Sequence, residues 1–248
     1  MIKERNDDLV FGTRAIIETI EAGKEIDKLL IQKNLSNDLI RELIKIARDH
    51  NIPFSAVPAE KLNRVTRKNH QGAIAFISAI QYASLDNVIS ETYQKGQEPL
   101  ILILDRVTDV RNFGAIARTA ECAGVNAIVL PGRGSAAINA DAMKTSAGAL
   151  NYIPVCRVDN LKTTLQYLME SGIALIACTE KTDQTIYELN FKRPVALLLG
   201  SEEDGISPEY LKMVEERGKI PMSGNIGSLN VSVSAGVALY EVIRQRGF

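Results

Sequence analysis

The sequence predicts an α/β protein in two parts: a compact α/β domain over residues 1–80 and, over 100–248, a parallel, doubly wound sheet. Three observations predict this. Short apolar runs recur after residue 100 with helical segments between most of them, and continuous apolarity marks strands buried on both faces. Glycine divides unevenly, with four in the first 97 residues and thirteen after them. Charge divides as well: residues 1–80 carry 13 Lys+Arg and 11 Asp+Glu, against 16 and 19 over 81–248, so a net +2 stands beside a net −3. The polar stretch from Gln81 to Pro99 lacks clear periodicity and falls where both compositions change, which reads as a linker over 81–99.

In the first part, Thr13 precedes a helix in which Ala15, Ile16 and Ile20 recur at helical spacing, and Gly23 is placed to end it. DKLLIQK reads as a strand. Ser36 is the expected N-cap of a helix whose Leu39, Leu43, Ile46 and Ala47 form one face. PFSAV and GAIAFIS read as further strands with a short helix from Pro58 between them. In the second part the strands are LILIL (100–104), NAIVL (126–130), YIPVC (152–156), IALIAC (173–178), PVALLL (194–199) and KIPM (219–222). The last segment, from Ser228 to about Gln245, is too long for a strand and places Leu229, Val233, Val237 and Tyr240 on one side of a helix.

Composition bounds the function. With 46% hydrophobic and 24% charged residues, the chain is ordinary globular material, which excludes collagen-like and disordered classes. A formal charge of −1 over 248 residues argues against nucleic-acid binding by bulk positive charge, though not against a local patch. Cys122, Cys156 and Cys178 are odd in number and far apart, so neither a disulfide framework nor a zinc cluster is spelled out, and a reducing, cytoplasmic setting is expected. The N-terminal MIKERNDDLV is charged without an apolar run, and no later run reaches the ~18 residues that span a bilayer, so no membrane partner is expected. His50 and His70 stand apart from any cysteine pair, and no metal is expected.

Three loops hold the unusual residue choices. After LILIL, Asn112, Gly114 and Arg118 lie at the start of a helix, where Gly114 would permit close backbone approach and Arg118 would project within two turns. After PVALLL, the loop GSEEDGIS combines Gly200 and Gly205 with consecutive acids; these would repel a phosphate and suit a cationic or hydroxyl-rich ligand. Ser207 and Pro208 then open a helix. After KIPM, a loop with Gly224 and Gly227 leads to Ser228 as the expected helix opener, while Asn230, a poor helix former, needs another reason. Neither a P-loop nor a G-x-G-x-x-G motif occurs, so ATPase and dinucleotide readings lack their signature.

The set N-x-G-x-x-x-R-x-A (Asn112 to Ala120), G-x-E-x-x-G (Gly200 to Gly205) and I-P-M-x-G-x-x-x-S-L-N-V-S (Ile220 to Ser232) resembles the three motifs of the SpoU/TrmH family within the SPOUT superfamily. Residues 1–80 are likewise similar to the family's RNA-binding domain, a fold like ribosomal protein L30e, from VFGTRAIIETI to NHQGAIAF. The resemblance implies transfer of a methyl group from S-adenosyl-L-methionine to a ribose 2′-hydroxyl of RNA. The two-domain layout is most similar to the 23S ribosomal RNA guanosine subgroup. A tRNA methyltransferase, or a non-catalytic RNA-binding or ribosome-assembly protein of the same fold, are the alternatives. It implies a SPOUT-type parallel sheet with a trefoil knot over 100–248, and a homodimer. Carried onto this chain, the cofactor positions are Gly200, Ser201, Glu202, Gly205, Ile220, Met222, Ser228 and Leu229. The catalytic and RNA positions are Asn112, Arg118, Glu202, Ser228 and Asn230. Val110, Glu203 and Ser234 depart from the usual proline, glycine and alanine, and Glu203 bears on the cofactor loop's freedom. Because an arginine is an awkward base, Arg118 is expected to stabilise developing alkoxide charge, with Asn112 orienting it or the RNA. RNA capture is expected at Lys61, Arg64, Arg67 and Lys68, a run free of acids, with His70 and Gln71 beside it.

Overall fold

The structure is a computed structural model that describes residues 9–247; the charged MIKERNDD start and Phe248 lie outside the described residues. The described residues divide into two units, one of residues 9–81 with 137–140 and one of 82–136 with 141–247.

The first unit is a four-stranded mixed sheet. Its elements are β1 (Leu9–Phe11), α1 (Thr13–Glu21), β2 (Ile26–Gln32), α2 (Asp38–Asp49), β3 (Phe54–Val57), α3 (Ala59–Val65) and β4 (Ala73–Ile77). The strand order is β1-β4-β2-β3, with β4 antiparallel to β1 and β2, and β2 parallel to β3. Because side chains alternate across a strand, Leu29 and Ile31 join Ile16, Ile20, Ile40 and Leu43 of α1 and α2, whereas Leu30 and Ile74 join Leu62 of α3. Two caps differ from expectation. Asn37, not Ser36, caps α2, accepting from Ile40 N at 2.9 Å, and Thr13 is a buried helical residue behind Gly12. Ser and Asn cap equally well, so local preference does not choose between neighbours.

The second unit holds α4 (Leu85–Gln94), β5 (Leu100–Leu104), α5 (Val110–Cys122), β6 (Ala127–Pro131), α6 (Ala140–Thr145), β7 (Val155–Val158), α7 (Leu161–Glu170), β8 (Ala174–Cys178), β9 (Val195–Leu199), α8 (Pro208–Leu211), β10 (Glu216–Gly218) and α9 (Val231–Arg246). Its six strands run parallel in the order β10-β8-β9-β5-β6-β7. Ile101, Ile103, Val129, Leu175 and Leu198 face one core with α4 and α7, and the alternate residues Leu100, Leu102, Leu104, Ile128 and Leu197 are buried too. Both faces are therefore covered, as the continuous apolar runs imply.

Three readings are corrected. Residues 81–99 are not a bare linker: α4 forms there, capped by Ser84, and buries Leu85 and Ile89 in the sheet's core. Only every fourth residue of that stretch is needed to make the contact, so polar composition hides it. The last strand is ERG, ending at Gly218, while KIPM is largely loop; a Cβ at Gly218 would lie 2.7 Å from Leu189 Cδ1, so a sequence rich in apolar residues was displaced by one that permits close packing. Leu229 lies before α9; within the helix Val233 and Tyr240 are exposed and Val237 half-buried, and the buried side is Val231, Ala235, Ala238, Leu239 and Val242. Periodicity finds apolar stripes but not which one is covered. Among the described residues no helix is long and apolar enough to cross a membrane, and no group of three or more His, Cys, Asp or Glu is placed to hold a metal ion.

Candidate functional site

The loops that follow β5, β9 and β10 meet beyond the carboxyl ends of the strands, where open α/β sheets bind ligands. The first is fastened by Asp109, whose Oδ1 accepts from Arg111 N at 2.9 Å and Asn112 N at 2.8 Å and so caps α5. This puts Asn112 in the first turn of the helix. Gly114 serves close approach, as its position implies, but to α6: a Cβ there would stand 2.7 Å from Thr145 Cβ and 3.1 Å from Ala142 O and Ser146 N.

The third loop ends at Asn230, which is the N-cap of α9 in place of Ser228. Its Oδ1 accepts from Ser232 N at 2.9 Å, and because a backbone N–H can only donate, the amide's orientation is settled by chemistry. Nδ2 then donates to Glu202 Oε1 at 2.7 Å and to Asn112 Oδ1 at 3.1 Å, while Asn112 Nδ2 donates to the same Glu202 oxygen at 2.9 Å. One side chain from each loop thus forms a closed cluster. The reason Asn230 needs is double: it starts a helix and ties two loops together.

Glu202 lies in the wall of two clefts. The larger, of 660 Å³, collects every residue expected at the cofactor site: Gly200, Ser201, Glu202, Gly205, Ile220, Met222, Ser228 and Leu229. Gly200 can be nothing larger, since a Cβ would meet Gly205 C at 2.0 Å. Glu203 is absent from the residues in the left-handed region, so its place in the loop does not demand glycine. The smaller cleft, of 280 Å³, is bounded by Arg106, Asp109, Asn112, Ser201 and Glu202. Arg118 lines neither; it is exposed on α5, about two turns beyond Asn112, and Asn112 bonds to Glu202 and Asn230 instead of to it.

Sequence reasoning missed two parts of this site. Glu180 and Lys181, after β8, line the larger cleft, and applying the carboxyl-end rule to IALIAC would have found them. Arg106 was missed for want of any local signal. It donates to Asp204 Oδ2 at 2.9 Å and Gly205 O at 3.1 Å and pairs with the buried Asp105 at 3.4 Å. Burial would lower its pKa, but Asp105 and the hydrogen bond to Asp204 outweigh that, and it is raised. Cys178, also on the larger cleft, has its thiol pushed up to about 11 by burial, with Glu180 adding to the effect, so it is a neutral wall at physiological pH.

In the first unit Lys61 and Arg64 lie on α3 and Arg67 and Lys68 just after it, all exposed and without an ion pair among the described residues; Lys68 lies 5.3 Å over the Phe11 ring. His70 and Gln71 are engaged in a turn. Gly72 N donates to His70 Nδ1 at 3.1 Å, which leaves Nε2 to carry the proton toward Asn63 Oδ1 at 3.0 Å, and Gln71 sits at φ 49°.

An open parallel α/β domain whose ligand clefts lie in loops at the strand carboxyl ends, preceded in sequence by a small mixed-sheet domain, defines the class. Residues 99–240 match the SpoU rRNA Methylase family and residues 9–83 the family described as RNA 2′-O ribose methyltransferase substrate binding. The chain belongs to the SpoU rRNA Methylase family. It is 35% identical over 239 residues to YacO of Bacillus subtilis (strain 168), assigned to the TrmH family of tRNA/rRNA methyltransferases, covering 96% of both chains. It is similar to the crystal structure of the SpoU methyltransferase AviRb from Streptomyces viridochromogenes in complex with AdoMet, at TM-score 0.61 and 26% identity over 96% of this chain and 90% of that one. The A. aeolicus TrmH/SpoU tRNA modifying enzyme is similar over 64% of this chain and 84% of its own, at TM-score 0.56 and 29% identity.

Proposed function

We propose that this chain transfers a methyl group from S-adenosylmethionine to a ribose 2′-hydroxyl of RNA, and that its substrate is ribosomal RNA, with a guanosine of the 23S molecule as target. The observation that carries the reading is the Asn112–Glu202–Asn230 cluster on the wall of an acidic cleft. That cleft fits the cofactor's chemistry. Glu180, Glu202, Glu203 and Asp204 suit its cationic groups, Lys181 its carboxylate, and Leu199, Ile220, Met222 and Leu229 its base. When bound, S-adenosylmethionine supplies an electrophilic methyl group.

The chain's residues supply position and charge. Gly200 lets its loop close against Gly205, and the Asn112–Glu202–Asn230 cluster holds the reacting side of the cleft in one arrangement, a large part of catalysis in a direct displacement. Arg118 stabilises charge developing on the ribose oxygen. Since Arg118 lines neither cleft of its own chain, it serves the site of a second copy. The exposed apolar Val233 and Tyr240 of α9, with Leu229 just before it, support a homodimer, and α9 packs against the helix that carries Arg118. The knot belongs to the same reading, supported by a loop that leaves β10 at the sheet edge and returns across to Glu202 and Asn112. Lys61, Arg64, Arg67 and Lys68 hold the RNA backbone.

A tRNA substrate is the second reading, favoured by the likeness to the A. aeolicus tRNA modifying enzyme. Mapping ribose methylation on ribosomal and transfer RNA from cells lacking this protein decides between them: loss at a 23S guanosine supports the proposal, and loss confined to tRNA replaces it. For Arg118, the Arg118→Ala protein should bind S-adenosylmethionine but not turn over, and mixing it with Asn230→Ala protein should restore part of the activity. Full turnover by Arg118→Ala alone would refute the assignment.

A further inference from the structure

Arg106 combines two features that its neighbours do not share. It is an arginine at φ 60°, in the left-handed region that costs side chains with a Cβ and favours glycine. A Cβ-bearing residue persists there only where the surrounding structure over-determines it. Its guanidinium ties two segments together: Asp204 and Gly205 belong to the 200–206 loop, and Asp105 is the buried residue that follows β5.

Asp105 is the anchor. Its backbone N donates to Leu199 O at 2.8 Å, its Oδ1 takes Arg106, and its Oδ2 accepts from Ser207 N at 2.7 Å just beyond the loop. The loop is closed on itself by Gly205 N donating to Ser201 O at 3.0 Å, and Asp204 N donates to Ser201 Oγ at 3.2 Å. Between these two fastenings project Glu202 and Glu203. The segment from Ser201 to Asp204 is a shared wall of the two clefts, and Arg106 borders the smaller one.

We infer that Arg106 is a positioning residue: a charged latch that holds the acidic 200–206 loop in its ligand-binding arrangement before any ligand arrives, and through it sets Glu202 against Asn112 and Asn230. The inference rests on the reading of the larger cleft as the S-adenosylmethionine site. It makes a directional statement that charge alone reverses. The cofactor carries net positive charge, so deleting a nearby cation without loosening the loop would strengthen binding. Loss of a latch weakens it.

The test is Arg106→Gly, with Arg106→Lys and Asp204→Ala beside it, each in the full chain. Glycine relieves the left-handed strain while removing the latch, so thermal stability should change little while the loop loosens. Amide exchange at Gly205 and Ser207, measured without ligand, should quicken about threefold, and the dissociation constant for S-adenosylmethionine should rise about threefold, the scale of a solvent-exposed charged pair. Arg106→Lys keeps the charge without the planar fork and should fall between. Asp204→Ala should quicken the same amides, and combined with Arg106→Gly it should add little. Unchanged exchange, or binding as tight as or tighter than the parent protein's, would overturn the inference. If the parent protein does not bind S-adenosylmethionine, the reading of the cleft fails, and the exchange comparison still decides the latch.

Discussion

Asn230 carries two duties that substitution can separate. As N-cap of α9 it satisfies Ser232 N with its Oδ1; as a member of the cluster it sends Nδ2 to Glu202 and Asn112. Asn230→Ala removes both. Loss of the cap costs ~1 kcal/mol, and for a domain of this size that lowers the melting temperature by about 2–4 °C. Asn230→Ser restores the cap, because serine and asparagine cap equally, so its stability should lie within ~0.5 kcal/mol of the parent protein. It does not restore the amide, and Glu202 keeps only Asn112. Both variants should therefore lose methyl transfer alike, by about 10²-fold, the scale for removing one preorganised donor from a reacting centre. The assay pairs urea denaturation with single-turnover transfer of radiolabelled methyl to ribosomal RNA. Full turnover by Asn230→Ser would show that only the cap matters and that the cluster does not organise the site.

Other perturbations follow from the same geometry. Gly114→Ala should destabilise by up to about 2 kcal/mol, because overpacking against Thr145 and the α6 backbone at ~1–3 kcal/mol outweighs the ~1 kcal/mol helix gain of alanine. Gly236→Ala, whose Cβ would meet only Thr119 Cγ2 at 3.7 Å, should instead stabilise, and urea midpoints for the two in the same direction would refute the contrast. Glu241, buried, has its pKa held below the usual carboxylate range by two hydrogen bonds from Arg244, against the opposing effect of burial and with help from Gln245. A depressed folded pKa gives stability that is present above the unfolded value of about 4.3 and lost as pH falls through the folded one. Glu241→Gln should thus be less stable at pH 7 and lose less on acidification; parallel urea midpoints across that window would contradict this. Neutralising Arg67 and Lys68 should weaken RNA binding and reduce its salt slope by about one for each phosphate left without its cation, with S-adenosylmethionine affinity unchanged. Equal loss of both affinities would count against a separate RNA surface.

Much of the architecture was legible because it is local. Runs such as LILIL and PVALLL are apolar at every position, which only a strand covered on both faces requires, and all five of the longer runs overlap a strand of the parallel sheet, YIPVC only at Val155 and Cys156. The helix from Leu85 was not legible, since its two buried apolar residues are diluted by polar neighbours. Nor was the cap of α9, because Ser228 and Asn230 are equivalent until the loop's path is known.

By itself, then, the sequence marked Asn112, Glu202 and Asn230 as candidates, by their place in three loops after strands and by their likeness to the family's motifs. What only the tertiary structure decided is who meets whom. Asn230 reaches Asn112 across 118 residues and Arg106 reaches Asp204 across 98, and no window of local preference spans such a distance. The same holds for α9, whose two apolar stripes are alike in sequence. Small Ala235 and Ala238 lie on the buried side and Val233 and Tyr240 on the exposed one, because burial is a property of the neighbour that packs there and not of the stripe.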